Sequence, residues 1–224
     1  MSPLPIDAML SQAVEDYLKT IYKLQRDGAA STSDIARTLD VSAASVTNMV
    51  KRLAQHGLAE HQSYRGVTLT PAGNKIALEI IRHHRLLELY LKEVMGYGWE
   101  QLHDEAEHLE HHISEEFESK IEAMLGFPTH DPHGDPIPTR DGHVEAVADA
   151  PLTQVSAGQA VVVRRVSDAD PELLHYLEEL GLMPRAEVVV VEKAPFNGPL
   201  DVRIGEETKT VGFAVASNVF VVVS

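Results

Sequence analysis

The chain has 224 residues, with 34 acidic and 19 basic side chains, a formal charge of -15 and no cysteine. Its length leaves room for two or more domains. No apolar run approaches the roughly 20 residues that cross a bilayer, and residues 1–10 carry no basic flank followed by an apolar core. The absence of thiols excludes a disulfide framework, an iron–sulfur cluster and a cysteine nucleophile. We therefore expect a cytoplasmic protein that does not enter the membrane.

Residues 1–73 have the pattern of a winged helix-turn-helix. Apolar residues spaced by three and four predict a helix over residues 11–24. Two short helices follow across a tight turn, and Ser42 is the predicted N-cap of the second. Residues 58–61 and 67–69 predict two strands joined by a turn, which completes the wing.

The second of these short helices is suited to the major groove of DNA. Small and amide side chains stand at its start, where Asn48 is placed to pair with adenine, and basic residues nearby are placed to contact phosphates. Residues 1–73 hold seven basic and seven acidic side chains, so this segment does not share the negative charge that repels DNA. The alternative is a winged helix used for protein contacts. The candidate DNA contacts are Arg37, Ser42, Ala43, Ala44, Ser45, Thr47, Asn48, Lys51, Arg52, Tyr64 and Arg65.

The rest of the chain divides into a helical and a β-rich part. Long helices are predicted from residue 71 and over about residues 99–125, and the four prolines within residues 127–142 predict an extended segment. Five β-branched runs and one helix near residues 171–180 then predict a small β-barrel. The predicted domains are residues 1–73, 74–142 and 151–224, with a linker at 143–150.

Eight of the 12 histidines lie between residues 83 and 133, within the most acidic part of the chain. His84 and Glu88 are four residues apart on the first long helix, so they lie on one face. Four more side chains share a stripe of the next helix. They are His103, Glu107, Glu110 and His111. Oxygen and nitrogen ligands without sulfur suit manganese or iron(II), and zinc less specifically. The alternative is a solvated acidic surface.

Catalytic motifs are missing, so we do not expect an enzyme. The zinc-protease patterns do not fit residues 107–111, where Glu107 occupies the place of the first histidine. His130 and His133 are interpreted as hydrogen-bonding residues that order their loop. Two rival functions stay open: a winged-helix regulator that responds to an organic ligand, and a metalloenzyme built on paired helices with bridging carboxylates.

Several motifs together resemble the diphtheria-toxin-repressor family of iron- and manganese-dependent transcriptional regulators. They span residues 15–22, the helix-turn-helix, and residues 84–88, 103–111 and 132–138. The resemblance implies a mainly α N-terminal part, with a winged helix-turn-helix and a helical dimerisation domain, followed by a small all-β SH3-like barrel. Residues 180–199 are similar to the ferrous-iron-transport A type of that barrel.

The resemblance also implies two metal sites. The primary site would use Asp16, Glu107, Glu110 and His111, and the second His84, Glu88 and His103, with Asp168 and Glu172 as candidate ligands from the barrel. Iron-sensing members tend to have Met and Cys at the first two of these positions. The oxygen ligands Asp16 and Glu107 therefore favour Mn²⁺ over Fe²⁺. Lys19 stands where some manganese-sensing members have Glu, and its charge opposes a second ion at the primary site.

The implied function is a metal-activated repressor of metal-uptake genes that binds double-stranded operator DNA as a homodimer. Two carboxylates about 4 Å apart repel by about 4 kcal/mol at an effective dielectric near 20. The hypothesis is that this repulsion holds the first helix away until a divalent cation reverses the balance. Metal capture would then set the spacing of the two recognition helices.

Overall fold

A computed structural model describes residues 11–25, 28–62, 66–146, 148–168 and 170–223. The chain forms two compact units. The first consists of residues 1–83, 110–113 and 138–143, and the second of residues 84–109, 114–137 and 144–224. The domain boundaries expected at residues 73, 142 and 150 stay a prediction.

The first unit contains the winged helix-turn-helix that the sequence predicts. Its helices are α1 (Gln12–Leu24), α2 (Thr32–Thr38) and α3 (Ala43–Gln55), and its hairpin is β1 (Ala59–Gln62) with β2 (Gly66–Leu69). Ser42 caps α3 as predicted, because its hydroxyl accepts a hydrogen bond from the backbone N–H of Ser45.

One apolar core holds this first unit together. Residues on the inner faces of α1 and α3 are almost fully buried in it, together with Ile35 of α2 and Val67 of β2. From α1 and α3 these are Val14, Leu18, Ile21, Val46, Val50 and Leu53. The spacing of three and four along each helix puts these side chains on one stripe, which is why both helices pack on the same core.

The prediction of one helix over residues 99–125 is wrong. After α4 (Pro71–Tyr90), a wide helical turn at Leu91–Met95 and a single tight turn at Trp99–Gln101 lead into α5 (Leu102–Leu109), and α6 (Glu115–Met124) starts separately. Ser114 caps α6, since its hydroxyl accepts the N–H of Phe117, and acidic residues fill the first turn. The cap and the acidic first turn start a new helix after Ser114, and they outweigh the apolar periodicity that predicted one continuous helix. Residues 110–114 therefore lie outside any helix.

The second unit contains a six-stranded antiparallel sheet in the order β3-β8-β4-β5-β6-β7. Its strands are β3 (Ala150–Pro151), β4 (Ala160–Val166), β5 (Glu187–Lys193), β6 (Leu200–Ile204), β7 (Glu207–Val211) and β8 (Val219–Val223). Two helices accompany them, α7 (Pro171–Leu180) and α8 (Phe213–Ala216). The predicted SH3-like domain is confirmed. Bulges after Val163 and Val190 bend the sheet.

Residues 127–142 contain no helix, as the prolines predict. In the part of the chain that the structure describes, no helix is both long enough and apolar enough to span a bilayer.

Gly134 lies where backbone passes closely over backbone. It has φ of +92°, and a Cβ atom there would stand 2.1 Å from the carbonyl oxygen of Arg164. The neighbouring His133 carbonyl accepts the N–H of Val166, so this part of the chain cannot move away freely. We expect Gly134→Ala to lower the free energy of unfolding by about 3 kcal/mol, from overpacking and left-handed backbone strain together.

Urea unfolding of Gly134→Ala and Gly158→Ala separates the two causes. Gly158 also has a positive φ, +86°, but a Cβ atom there meets nothing within 4 Å. Its substitution should cost about 1 kcal/mol, the strain alone. Equal losses in the two variants would contradict the close approach at Gly134.

Candidate metal centres and DNA-recognition helix

Three side chains with metal-binding atoms converge in the first unit. Asp16 lies on α1, and Glu110 and His111 lie in the turn after α5. Their ligand atoms all lie within 4.8 Å of one another. Nε2 of His111 is 2.9 Å from Oδ1 of Asp16 and 3.4 Å from Oε1 of Glu110. We call this group the first cluster. It contains three of the four residues that the resemblance implies for the primary site.

Glu15 orients the imidazole of the first cluster. Its Oε2 lies 2.5 Å from Nδ1 of His111 and hydrogen-bonds to it, which turns Nε2 towards Asp16 and Glu110. A carboxylate that holds the far nitrogen of a ligating histidine is a common support in metal sites. Sequence analysis missed Glu15, because spacing along α1 does not show which way a distant imidazole faces.

The surrounding carboxylates favour a charged His111. Burial by itself would lower the pKa of this imidazole, but the Asp16 carboxylate facing Nε2, the hydrogen bond that Nδ1 donates to Glu15 and the charge of Glu110 outweigh burial and raise the pKa to about 10. A metal ligand must be deprotonated. A cation that binds Nε2 therefore replaces a proton.

Lys19 is a basic residue in direct contact with the first cluster. Its ammonium donates to both carboxylate oxygens of Glu110 at 2.8 Å, and the side chains of Lys19 and Glu110 are 6% and 0% exposed. Removing one partner of such a buried pair costs far more than removing one partner of an exposed pair, because it leaves an uncompensated buried charge. The expectation that Lys19 faces the primary site agrees with this position.

A second group of ligand atoms lies in the second unit, around the buried carboxylate of Glu88. Nε2 of His84 is 3.1 Å from Oε1 of Glu88 and 3.2 Å from Nδ1 of His103. All three ligand atoms lie within 4.8 Å of one another. We call this group the second cluster, and its members are the three residues that the resemblance implies for the second site.

Glu88 remains ionised in the second cluster. Burial would raise its pKa, but the charge of His84 and the ring nitrogens of His84, His103 and His133, which lie 3.1–3.8 Å from Oε1, hold the pKa well below its usual value. The cluster therefore offers a carboxylate among imidazoles, a donor set that suits a divalent cation.

Glu107, the fourth residue that the resemblance implies for the primary site, lies beside His84 of the second cluster. Its Oε2 lies 3.6 Å from Nδ1 of His84. The stripe predicted for residues 103–111 required a continuous helix, and α5 ends at Leu109. Glu107 therefore stays on α5, while Glu110 and His111 belong to the following turn.

His133 adds a third imidazole next to Glu88. Its side chain is fully buried, Nε2 lies 3.6 Å from Oε1 of Glu88, and the ring packs on Trp99 with centroids 5.1 Å apart. Burial would lower the pKa of His133, but the facing carboxylate of Glu88 outweighs burial and raises it. Within the described residues neither ring nitrogen makes a well-directed hydrogen bond. The interpretation of His133 as a hydrogen-bonding residue of its loop is therefore corrected.

The loop is ordered instead by Asp131 and Arg85. Oδ1 of Asp131 accepts the backbone N–H groups of His133 and Asp135, and Arg85 donates to the carbonyl of Pro136. The interpretation of His130 holds, since its ring contacts the hydroxyl of Thr129 and the guanidinium of Arg164.

The two candidate ligands from the barrel differ in their positions. The negative charge of Asp168 acts on the imidazole of His133 and contributes to its raised pKa. Glu172 is exposed in the first turn of α7, where its backbone N–H bonds to Asp170. Asp168 is therefore the stronger candidate.

Both clusters have the chemistry that a divalent cation requires. In the described part of the chain, buried Oδ1 of Asp16 and Nε2 of His111 lack a well-directed hydrogen bond, and so do both carboxylate oxygens of Glu88. Buried polar atoms in folded proteins normally have partners. Buried oxygen and nitrogen atoms without such a hydrogen bond, and with no sulfur among them, are suitable ligands for a manganese or iron(II) ion.

The candidate DNA contacts are solvent-exposed along α3. Ser42, Ala43, Ala44, Ser45, Thr47, Asn48, Lys51 and Arg52 are all exposed, whereas Val46, Val50 and Leu53 face the core. The Thr47 hydroxyl bonds within the helix, to the carbonyl of Ala43. Arg37 on α2 is also exposed and pairs with Asp34. Tyr64 and Arg65 lie outside the described residues. The outer face of α3 is therefore polar, small and accessible, as a recognition helix requires.

Three family models match the chain in sequence. Residues 9–67 match the N-terminal DNA-binding domain of iron-dependent repressors, residues 70–139 match their metal-binding and dimerisation domain, and residues 150–223 match the FeoA domain. The iron-dependent repressor IdeR of Mycobacterium tuberculosis is 36% identical over 92% of this chain and 95% of its own length. The diphtheria toxin repressor of Corynebacterium diphtheriae is 32% identical over 90% of this chain and 85% of its own.

Solved structures show the same likeness over the whole length. A manganese-dependent transcriptional repressor in complex with manganese superposes with a TM-score of 0.88 at 38% identity, covering 94% of this chain and all of the other. The manganese regulator SloR superposes with a TM-score of 0.76 at 33% identity, over 94% and 98% of the two chains. At 33–38% identity over 94% of this chain, these likenesses indicate a common family as well as a common fold.

Proposed function

Because this chain belongs to the iron-dependent repressor family, whose members are transcriptional repressors rather than enzymes, we propose that it represses metal-uptake genes when a divalent cation, Mn²⁺ in preference to Fe²⁺, is bound. It acts in the cytoplasm as a homodimer on double-stranded operator DNA. Cation binding orders α1 and thereby sets the spacing of the two recognition helices.

One observation carries this proposal: Asp16 joins α1 to Glu110 and His111 within the unit that contains α3. Val14 and Leu18 of α1 share their core with Val46 and Val50 of α3. A constraint on Asp16 is therefore a constraint on the helix against which the recognition helix packs. Close-packed cores transmit such shifts because they do not deform continuously.

Charge supplies the switch. Asp16, Glu15 and Glu110 bring three carboxylates close to one imidazole. A divalent cation held there would supply the positive charge that lets these carboxylates approach one another. The protein then has an inactive conformation, in which the carboxylates stay apart, and an active one, in which they lie close together. The population shifts from mostly inactive to mostly active when the cation binds the active conformation more tightly by about 5 kcal/mol. Asp16, Glu110 and His111 hold the cation, and Glu15 keeps the imidazole in place.

The donor atoms support manganese over iron. Asp16 contributes a hard carboxylate oxygen, and the chain has no cysteine. Hard oxygen ligands suit Mn²⁺, whereas thiolate or thioether ligands favour softer metals. Fe²⁺ is the alternative, and the family includes relatives named for each metal.

A second ion is proposed at His84, Glu88 and His103. His133 contributes a further nitrogen because it lies beside Glu88, and Asp168 is the candidate from the barrel domain because its charge acts on His133. In this site the loop of residues 131–135 becomes part of the metal centre.

The proposal is tested by measuring operator affinity with and without metal. Duplexes are first selected from a random library with manganese-loaded protein, and fluorescence anisotropy then gives the dissociation constant of the apoprotein and of protein with Mn²⁺, Fe²⁺ or Zn²⁺. We expect Mn²⁺ to raise the affinity by about 100-fold or more, since allosteric couplings of 1–3 kcal/mol already give 5–150-fold. Affinity unchanged by metal and by chelator would contradict the proposal and favour a regulator that responds to an organic ligand.

A further inference from the structure

The second unit contains a cavity of about 710 Å³ whose lining includes no member of either cluster. The lining comes largely from residues 127–132, from β4 and from the loop before β5. Cavities of about 300–1,000 Å³ are the size that takes a small organic molecule. The volume is therefore sufficient for a ligand, and the lining residues decide which kind.

Arg164 reaches the cavity from a bulge in β4. It is the bulged residue, because the pairing with β8 passes from Val163 directly to Arg165, and bulges often re-aim a side chain beside a binding site. Nη2 of Arg164 lies 2.9 Å from Nε2 of His130, another lining residue. Burial, and then the charge of Arg164, lower the pKa of this imidazole. His130 is therefore neutral and holds the guanidinium in place without cancelling its charge.

Two further lining residues, Phe127 and Arg185, have backbone conformations that bulky side chains rarely adopt. Their φ angles are +57° and +76°, and they are two of the five non-glycine residues with a positive φ in the described part of the chain. Such strain tends to persist where a ligand site requires it. The N–H of Arg185 donates to the carbonyl of Val163 at 2.7 Å. This bond ties the loop of Arg185 to the bulge, so both arginines belong to one part of the lining.

The lining carries more positive than negative charge. Its basic residues are Lys92, Arg164 and Arg185, and its acidic residues are Glu93 and Asp131. The carboxylate of Asp131 is already engaged, since it lies 3.3 Å from Arg85 and accepts two backbone N–H groups. Glu145 lies 3.8 Å from the Arg164 guanidinium, but its side chain is 62% exposed, and such pairs are weak. The cavity therefore favours a negatively charged ligand.

We propose that this cavity binds a small amphipathic anion, which has one acidic group on an apolar body. Arg164 and Arg185 hold the acidic group, because guanidinium groups match the oxygens of carboxylates, sulfonates and phosphate esters. The apolar body packs on Leu89, Phe127 and Met183 of the lining. It thereby covers the side chain of Phe127, which is otherwise 68% exposed. The site is independent of the proposed function, since neither metal cluster takes part in it.

The test titrates the full chain with anilinonaphthalene sulfonate, an anion on an aromatic body whose fluorescence rises on binding. Phenylnaphthylamine, which has the same rings and no sulfonate, is the uncharged comparison. Wild type, Arg164→Gln, Arg185→Gly and Arg203→Gln are compared. Arg203 is exposed on β6 and does not line the cavity, so its variant is the matched control for Arg164→Gln. Glycine suits the left-handed backbone at position 185.

We expect wild type to bind one sulfonate dye per chain, and more tightly than the uncharged analogue. Arg164→Gln and Arg185→Gly should each weaken dye binding about 10- to 100-fold, because each removes a charged hydrogen-bond donor, whereas Arg203→Gln should bind as wild type. Octanoate should displace the dye, and inorganic phosphate at the same concentration should not. The urea midpoint of Arg185→Gly should equal or exceed that of wild type, so its loss of binding is not a loss of folding.

Four results would overturn the inference. Wild type does not bind the sulfonate dye, or it binds the charged and the uncharged compound equally well. Arg185→Gly retains the wild-type dye affinity, which is the deciding result if Arg164→Gln does not fold. Finally, inorganic phosphate displaces the dye as well as octanoate does, which would show that the apolar body is not recognised.

Discussion

Asp16→Ala is expected to weaken Mn²⁺ binding to the first cluster by at least about 100-fold, since losing even an outer-shell partner of a metal ligand typically costs about 10–100-fold. Asp16 is the member of the cluster that α1 provides. Without it Glu110 and His111 remain, but they come from the turn after α5 and place no constraint on α1. The variant should therefore bind operator DNA with the low affinity of the apoprotein, whether or not Mn²⁺ is present.

Isothermal titration with Mn²⁺ and anisotropy on the selected duplex measure the two effects together. Glu116→Ala is the matched control, because it also removes one carboxylate, but from an exposed site where Glu116 pairs with Lys120 at the surface. The control should behave as wild type in both measurements. Full metal-dependent DNA binding by Asp16→Ala would exclude the role given to α1.

Arg85→Met is expected to lower the free energy of unfolding by about 3–5 kcal/mol, because removing one partner of a buried ion pair leaves an uncompensated charge. Nε of Arg85 lies 3.3 Å from Oδ2 of Asp131, and Nη2 lies 3.6 Å from Oδ1 of Asp135. Burial and the charge of Glu88 raise the pKa of Asp131 to about 7, against the opposing charge of Arg85. The guanidinium also bonds to the carbonyl of Pro136, so its loss releases the loop at several points.

Urea unfolding of Arg85→Met is compared with Arg37→Met. Arg37 also pairs with an aspartate, Asp34, but its side chain is 78% exposed, and exposed pairs contribute about 0–1 kcal/mol. A loss for Arg85→Met as small as that for Arg37→Met would show that the loop of residues 131–136 does not depend on the buried pair.

Local patterns are sufficient for most of the fold. Apolar spacing of three and four predicts α1, Ser42 marks the start of α3, and the helix near residues 171–180 agrees with the observed Pro171–Leu180. These features depend on neighbours within a few residues, where capping and periodicity act. The break after Leu109 was missed because the capping signal at Ser114 competes with a periodicity that continues through it.

Some residues of the candidate sites were predicted from the sequence, and others were found only in the structure. Residue types and spacing pointed to Glu110 and His111, the family resemblance alone pointed to Asp16, and the structure brings the three together. The supporting contacts could not be foreseen. Glu15 and His111 are 96 positions apart in the chain, and Lys19 and Glu110 are 91 apart, so no local pattern links them.

The sequence by itself determined the winged helix-turn-helix, the β-rich C-terminal domain and a sulfur-free set of possible ligands, because composition, periodicity and caps are local properties of the chain. Only the tertiary structure decided that Lys19 faces Glu110, that Glu107 pairs with His84 and that His133 lies beside Glu88. Those choices depend on where α5 ends and on how the loop of residues 131–135 packs. Both result from burial and ion pairing between residues far apart in the chain.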